Sequence, residues 1–296
     1  MFKDLLITTR FGNLLIIALS QYLAFKLLYL PHWTDVLMVV LSTTFIAFGG
    51  YLINDLFDQE IDKQNRPGKN LFEKQFYQKH GIKVYFIVNV LGLAIGLSFS
   101  LQVLLLHIAC IAFLYVYASY FKGRPVFGNL LVASMQAAVF ALVLLVIHSK
   151  TQFLGYLSGI EIESERLQFF WVILAFSWLT GWIREWIKDM EDRGGDRMAG
   201  LKTAALLFSE KSNKQFIAAL CLILSLGVGF FTAMLHIGFG DGFKDVLNYY
   251  YLFLMFPICL RAFLMVLRAK EQKDWAKLSQ WMKVIMLAGV LSIGIA

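Results

Sequence analysis

Charged residues are scarce in this sequence: aspartate, glutamate, lysine and arginine make up 16% of its 296 residues, whereas hydrophobic residues make up 59%. A soluble globular domain carries about 25% charged residues, so the composition excludes that class. Cysteine is equally rare. Cys110, Cys221 and Cys259 stand singly in apolar segments without a CxxC spacing, which excludes a disulfide framework and a cysteine metal site. The five histidines are dispersed and form neither an HExxH motif nor a triad-like set.

Long apolar runs dominate the sequence instead. Nine of them reach or approach the roughly 20 residues that cross a bilayer as an α-helix, the form that pairs every backbone polar group internally. They cover residues 11–30, 35–56, 82–99, 101–118, 127–148, 168–188, 213–236, 245–267 and 275–296. We therefore predict an all-α polytopic membrane protein with about nine transmembrane helices. Since no linker or low-complexity tract interrupts the chain, residues 1–296 are predicted to form a single domain.

Topology explains the net charge of +7. If the N-terminus is cytoplasmic, lysine and arginine concentrate in the loops 57–81, 119–126, 189–212 and 268–274, as the positive-inside rule requires. No nucleic-acid partner is needed to account for the basic residues. The sequence thus predicts an integral protein of the cell inner membrane, embedded in the lipid bilayer, with these loops on the cytoplasmic side.

The first of two acidic motifs directly follows the second apolar segment. Asn54, Asp58 and Asp62 are spaced i, i+4 and i+8, so a helix that continues past Ile53 stacks their oxygens on one face. Oxygen-only ligands suit a hard cation such as Mg²⁺, which is often shared with a phosphate. Taken alone, this motif is equally compatible with a solvated acidic helix end.

The second acidic motif follows the sixth apolar segment. Asp189, Asp192 and Asp196 are spaced i, i+3 and i+7 and also line one helical face, although two glycines in the motif weaken that helix by about 1 kcal/mol each relative to alanine. Ionisable residues in membrane segments are costly and usually functional. An even number of crossings separates the motifs, so both are predicted on the same side. We interpret them as two halves of one metal-diphosphate site.

Basic residues near the acids are candidate ligands of a diphosphate, since arginine offers a fork and lysine a point charge. Lys122 stands out because it follows an aromatic-rich stretch in a short inner loop, and Arg184 because it lies closest to the membrane interior. The other candidates are Lys63, Arg66, Lys188, Arg197 and Lys202. For most of these residues an ordinary role as a positive-inside anchor is the better explanation. A diphosphate held at an apolar cavity implies a lipid diphosphate, whose ionisation leaves an allylic carbocation.

Both acidic motifs resemble those of the UbiA-type intramembrane prenyltransferases. The likeness includes Asn65-Arg66-Pro67 after the first motif and Gly200-Leu201-Lys202-Thr203 after the second, and it covers essentially the whole chain. It implies a helical bundle around a central cavity. It also implies Mg²⁺ dependence and transfer of a polyprenyl group from an allylic prenyl diphosphate to a membrane-associated lipid or aromatic acceptor.

Site residues follow from these motifs and from the resemblance. The implied Mg²⁺ ligands are Asn54, Asp58, Asp192 and Asp196, supported by Asp62 and Asp189. Catalytic roles are assigned to Lys122, Arg66 and Arg184. Substrate binding is assigned to Lys122, again, and to Asn13, Arg10, Lys188 and Lys202.

Two stretches, residues 61–67 and 184–189, are similar to the branch of the family that makes digeranylgeranylglyceryl phosphate, which points to geranylgeranylglyceryl phosphate as the acceptor. That branch usually has a second Arg-Pro, whereas this chain has Gly68-Lys69-Asn70. Two alternatives stay open. One is a terpene cyclase on the same scaffold with no acceptor; the other is a cation transporter, although transporters place ion ligands near the midplane.

Overall fold

The computed structural model describes residues 10–28, 32–65, 68, 70–158, 164–238 and 243–296, and regular secondary structure in these ranges is helical. The α-helices are α1 (Phe11–Leu28), α2 (Trp33–Phe57), α3 (Gln59–Asn65), α4 (Gln75–Phe99), α5 (Leu101–Val116), α6 (Phe127–Ser158), α7 (Ser164–Met198), α8 (Ala204–Leu207), α9 (Glu210–Gly238), α10 (Phe243–Tyr250), α11 (Phe256–Arg268) and α12 (Gln272–Ile295). A 3₁₀ turn covers Leu71–Glu73, and π-helical turns cover Tyr117–Phe121 and Tyr251–Met255.

The predicted fold class is confirmed: in the described ranges, nine helical stretches are long and apolar enough to cross a membrane. They are Phe11–Leu28, Trp33–Phe57, Gln75–Phe99, Leu101–Phe121, Phe127–Lys150, Ser164–Met198, Glu210–His236, Asp245–Arg268 and Gln272–Ile295. Their ends differ from the apolar runs because a helix continues as long as its backbone hydrogen bonds do. The clearest case is α7, which carries the whole second acidic motif in helical form, glycines included.

Two compact units divide the chain. Unit 1 contains Met1–Lys122 and Ala138–Leu167, and unit 2 contains Gly123–Ala137 and Gln168–Ala296. The first acidic motif and Lys122 lie in unit 1, and the second acidic motif lies in unit 2. That residues 1–296 act as a single domain stays a prediction.

Close helix packing in unit 1 depends on small residues. A Cβ atom at Gly92 of α4 would lie 2.6 Å from Cδ1 of Ile46 and 3.2 Å from the carbonyl oxygen of Ser42, both on α2. Glycine therefore lets the two backbones approach, as small residues do between membrane helices. On the outer surface of α4, large apolar side chains such as Phe86 and Val90 stay exposed, which is expected of a helix that faces lipid.

Unit 2 is held by apolar packing and a few buried hydrogen bonds. Its fully buried side chains include Ile183 on α7, Ile217 on α9 and Met282 on α12. The indole Nε1 of Trp186 donates to Oδ1 of Asn213 at 2.9 Å, which ties α7 to α9 through a buried polar contact. A buried hydrogen bond of this kind is costly to break in an apolar surrounding, so it fixes the position of α7, the helix that carries the second motif.

Candidate functional site

The helix at the first acidic motif is interrupted at Asp58. α2 ends at Phe57, α3 begins at Gln59, and Asp58 between them has φ −89° and ψ 1°. The i to i+4 hydrogen bonds nevertheless continue through the junction, from Asp58 N–H to the carbonyl of Asn54 (3.0 Å) and from Asp62 N–H to that of Asp58 (2.8 Å). The predicted helical spacing of the row therefore holds, with a local break at its central member.

Asp58 is the best-paired carboxylate of this row. It is 3% exposed, and its Oδ2 accepts a hydrogen bond from Nδ2 of Asn54 at 2.6 Å. The same oxygen pairs with the ammonium group of Lys122. Asn54, which is also a predicted metal ligand, and Lys122, the leading diphosphate candidate, thus contact the same buried oxygen of Asp58.

Lys122 reaches this position from a π-helical turn. Its backbone N–H donates to the carbonyl of Tyr117 at 2.9 Å, an i to i+5 bond, after the π turn Tyr117–Phe121. A π turn of this kind is one of the ways in which a helix ends. The turn places the lysine at the end of the fourth membrane span, with its side chain 26% exposed.

Asp55 forms a second polar centre one turn from Asp58. It is 2% exposed; its Oδ1 accepts from Nη2 of Arg10 at 3.1 Å, and its Oδ2 accepts from the backbone N–H of Leu71 at 3.1 Å. The guanidinium of Arg10 also lies 4.9 Å from the centre of the Tyr51 ring, a cation–π arrangement. Asp55 therefore anchors both the start of α1 and the 3₁₀ turn to α2.

Asp62, the third member of the row, is held by Asn70. The Nδ2 group of Asn70 donates to Oδ2 of Asp62 at 3.0 Å and to the carbonyl oxygen of Asp55 at 2.8 Å. The Oδ1 atom of Asn70 accepts from the N–H of Phe72 at 2.9 Å and caps the 3₁₀ turn. All of this lies within unit 1.

In unit 2, the second row lies on the last turns of α7. Oδ2 of Asp189 accepts from Nδ2 of Asn129, on α6, at 2.9 Å. Oδ2 of Asp192 accepts from Nζ of Lys188 at 2.8 Å. These bonds give each carboxylate a fixed partner, since hydrogen bonds to charged groups are stronger than neutral ones.

Asp196 is buried at the end of α7. The helix closes with a Schellman motif: Gly200, at φ +70°, donates its N–H to the carbonyl of Arg197 (3.2 Å), and Leu201 donates to that of Asp196 (3.0 Å). Glycine suits the left-handed conformation required there. The next residue, Lys202, is exposed, and its N–H donates to the carbonyl of Gly123 at 3.2 Å.

The remaining predicted residues are placed less centrally. Arg184 pairs through Nη1 with Oε1 of its neighbour Glu185 at 2.6 Å rather than with an aspartate of the row. Asn13 is half-buried in the first turn of α1, and its N–H donates to the carbonyl of Arg10 at 2.8 Å. Arg66 lies outside the described residues, so its catalytic assignment stays a prediction.

The donor set in each unit fits Mg²⁺. Its side chains offer only carboxylate and amide oxygens, the ligands that this ion prefers. Within the ranges that the structure describes, no three acidic, histidine or cysteine side chains converge on one point. Mg²⁺ does not require such a cage, because it is usually held by one or two carboxylates, several waters and the phosphates of a substrate.

Three supporting residues were not among the predicted site residues: Asp55, Asn70 and Asn129. Asn129 was detectable in principle, since it directly follows the short inner loop that contains Lys122. Asp55 was visible as an acid one turn before Asp58, at an i, i+3 spacing that makes the two neighbours on the helix surface. Its contacts with Arg10 and Leu71 were not visible in the local pattern. No local pattern marks Asn70, because its role depends on the path of the chain after α3.

Comparison with known proteins gives one consistent result. A model of the UbiA prenyltransferase family matches residues 14–287. Digeranylgeranylglyceryl phosphate synthase of Thermococcus kodakarensis is 27% identical over 267 residues, which cover 90% of this chain and 87% of that protein.

Solved structures share the fold. A structure from work on digeranylgeranylglyceryl phosphate synthase in membranes has a TM-score of 0.67 at 21% identity, covering 99% of this chain and 96% of its own. A UbiA homologue from Archaeoglobus fulgidus, bound to DMAPP and Mg²⁺, has a TM-score of 0.62 at 15% identity, covering 98% and 99% respectively. At these identities the likeness concerns the fold.

Proposed function

The chain belongs to the UbiA prenyltransferase family, and from this premise we propose that it transfers a polyprenyl group from an allylic prenyl diphosphate to a membrane-associated acceptor, with Mg²⁺ as cofactor. The observation that carries the proposal is the buried Asp58 carboxylate, which meets Asn54 and Lys122 at the end of a membrane span. An acid, an amide and a lysine at such a boundary match what a metal-bound diphosphate needs.

Both acidic rows are proposed to serve the same reaction. Unit 1 would contribute Asn54, Asp58 and Asp62 to Mg²⁺ binding, and unit 2 would contribute Asp189, Asp192 and Asp196. This extends the sequence argument that an even number of crossings returns the chain to the same side. Bound Mg²⁺ would neutralise charge on the departing diphosphate, as divalent ions do in phosphate chemistry.

The chain's own basic residues would bind and orient the diphosphate. Lys122 is the first choice, because its ammonium already lies against the acidic row. Lys188 and Lys202 flank the second row and offer further point charges. We propose four further residues as supporting contacts: Arg66, Arg184, Arg10 and Asn13. The guanidinium of Arg10 is oriented by its ion pair with Asp55.

The reaction breaks the bond between C1 of the prenyl chain and the diphosphate oxygen, and the electron pair leaves with the diphosphate. The allylic cation is then captured by a hydroxyl oxygen of the acceptor, which forms an ether and releases the hydroxyl proton. Positive groups facing the leaving oxygen favour this ionisation because they stabilise charge where it develops. Water must be excluded, since it would capture the same cation.

We further propose geranylgeranylglyceryl phosphate as the acceptor. The support is the name of the relative described above, digeranylgeranylglyceryl phosphate synthase, which aligns along most of both chains. The chain is an integral membrane protein. By the lysine and arginine distribution, we place it in the cell inner membrane with the acidic rows on the cytoplasmic side.

A direct transfer assay tests this proposal. Purified protein in lipid nanodiscs would be incubated with Mg²⁺, labelled geranylgeranyl diphosphate and either geranylgeranylglyceryl phosphate or a phenolic acceptor. We expect a labelled diether lipid phosphate with the first acceptor and a much slower reaction with the second. Product from the phenol alone would refute the acceptor assignment, and a cyclic hydrocarbon without acceptor would refute transfer altogether.

A further inference from the structure

Asn70 has every polar atom of its amide engaged. The residue is 1% exposed. Its Nδ2 donates to Oδ2 of Asp62 and to the carbonyl oxygen of Asp55, and its Oδ1 accepts from Phe72 N–H. Three hydrogen bonds leave the side chain a single orientation.

Capping the 3₁₀ turn explains only one of these bonds. A cap needs a side-chain oxygen that accepts from the backbone N–H, and serine or aspartate would supply it equally well. The Nδ2 group makes different contacts, because it bridges α2 at Asp55 to α3 at Asp62. The Nδ2 group therefore connects the two helices across the break at Asp58. A continuous helix would fix the angle between the two segments, but here the helix is interrupted.

Asp55 gives this bridge a rigid base. Its carboxylate is tied to Arg10 at 3.1 Å and to Leu71 N–H at 3.1 Å. Asn70 thus holds Asp62, the member of the row that lies beyond the break, at a fixed position relative to Asp55.

The geometry points to Asn70 as a positioning residue. It orients the Asp62 carboxylate relative to that of Asp58, so that both are already in position when a divalent cation binds. This inference rests on the proposed function. Metal-ligating carboxylates are themselves held by outer hydrogen bonds, and loss of such a partner typically costs about 10- to 100-fold in metal affinity or activity.

Asn70→Ser is the discriminating variant, because serine keeps the cap but is too short to reach Asp62. Mn²⁺ would stand in for Mg²⁺, and its binding would be measured by electron paramagnetic resonance without prenyl diphosphate. We expect affinity to fall about 10-fold or more, and the Mg²⁺ concentration for half-maximal transfer to rise in parallel. Maximal turnover at saturating Mg²⁺ should change much less.

Asn89→Ser is the matched control. Asn89 is also a buried asparagine of unit 1, and its Nδ2 donates to a backbone carbonyl, that of Tyr85, at 2.9 Å. The control should keep wild-type Mn²⁺ affinity. An equal loss in both variants would show a general packing effect and overturn the positioning role.

Asp62→Asn provides the second arm. If Asn70 acts through Asp62, adding Asn70→Ser to Asp62→Asn should not weaken Mn²⁺ binding further. A further 10-fold loss in that background would overturn the inference, and so would wild-type affinity in Asn70→Ser alone. If the wild-type protein binds Mn²⁺ only together with prenyl diphosphate, the same comparisons are made with that substrate present. Absence of Mn²⁺ binding by the wild-type protein in both conditions would instead refute the metal part of the proposed function.

Asn70→Asp keeps the inference testable if the serine variant fails to fold. It preserves side-chain volume and the cap but sets a carboxylate against Asp62, and like charges at contact destabilise. We expect a lower melting temperature without divalent ions and a larger rise on adding Mg²⁺ than the wild type shows. An Mg²⁺-induced rise equal to that of the wild type would contradict the contact of Asn70 with a cation-binding Asp62.

Discussion

Replacing Lys122 by methionine tests the pairing at the centre of unit 1. The substitution keeps a long side chain but removes the ammonium, so the buried Asp58 carboxylate retains Asn54 as its described partner and loses its counter-charge. We expect two separate effects: the protein becomes less stable, and its use of prenyl diphosphate deteriorates.

The stability loss follows from burial. Breaking a buried ion pair by removing one partner costs about 3–5 kcal/mol. The Asp58 side chain is 4% exposed but that of Lys122 is 26% exposed, so water compensates part of the loss and we expect about 2–3 kcal/mol. Adding Asp58→Asn should recover most of it, since no uncompensated charge then remains.

The catalytic loss follows from the proposed contact with diphosphate. A hydrogen bond to a charged group is worth about 1.5–3 kcal/mol, which corresponds to roughly 10- to 150-fold in kcat/KM. Unlike stability, activity should not return in the Asp58→Asn, Lys122→Met double variant. Because Asp58 is itself a proposed Mg²⁺ ligand, the double variant reports only on stability, and the catalytic role of the lysine is measured by kcat/KM of the folded Lys122→Met variant.

Two measurements check the prediction: unfolding free energy by denaturant titration in mixed micelles, and kcat/KM with labelled prenyl diphosphate. Lys150→Met is the matched control, because Lys150 pairs with Asp35 at 2.9 Å in the same unit but at the opposite end of α2. It should cost less than about 1 kcal/mol and leave kcat/KM unchanged. The reasoning fails if Lys122→Met is as stable as the wild type, or if the double variant is no more stable than the single one.

Three further predictions concern the acidic rows. Transfer should stop after exhaustive removal of divalent metal and resume with Mg²⁺; full turnover in excess EDTA would contradict it. Single cysteines at positions 64 and 198 should react with impermeant reagents only from the cytoplasmic side. Labelling from the outer side in sealed vesicles would contradict the predicted topology. Asp58→Ala and Asp192→Ala should each abolish turnover in folded protein, with the double variant scarcely worse, whereas Glu60→Ala, at an exposed residue paired with Lys63, should keep most activity.

Local pattern was sufficient to predict the spans and the spacing of the acids. Hydropathy is a property of consecutive residues, and i, i+4 positions share a helical face wherever a helix forms. The exposed position of Glu60, about 200° around the helix from Asp58, follows from the same periodicity. The prediction holds although the helix is broken at Asp58, because its hydrogen bonds continue across the break.

Contacts between residues that are far apart in the sequence could not be predicted from hydropathy and helical periodicity. Lys122 is 64 positions from Asp58, and Asn70 reaches Asp62 only because the chain turns back after α3. Nothing in the periodicity of either segment specifies that meeting. The same holds for Arg184, whose nearest acid proved to be its neighbour Glu185.

The π turn Tyr117–Phe121 gives the chain a place where its length can change by one residue. A π turn holds one residue more than the corresponding turn of an α-helix, so losing one residue here would let the turn tighten to an α-helix while the lysine stays close to its place. In the preceding helix, Leu101–Val116, the same loss would rotate whatever follows by about 100° and move it by about 1.5 Å along the axis, and the lysine would no longer face Asp58. Members of the family that share the lysine should therefore tolerate loss of one residue in this turn far better than in the helix before it.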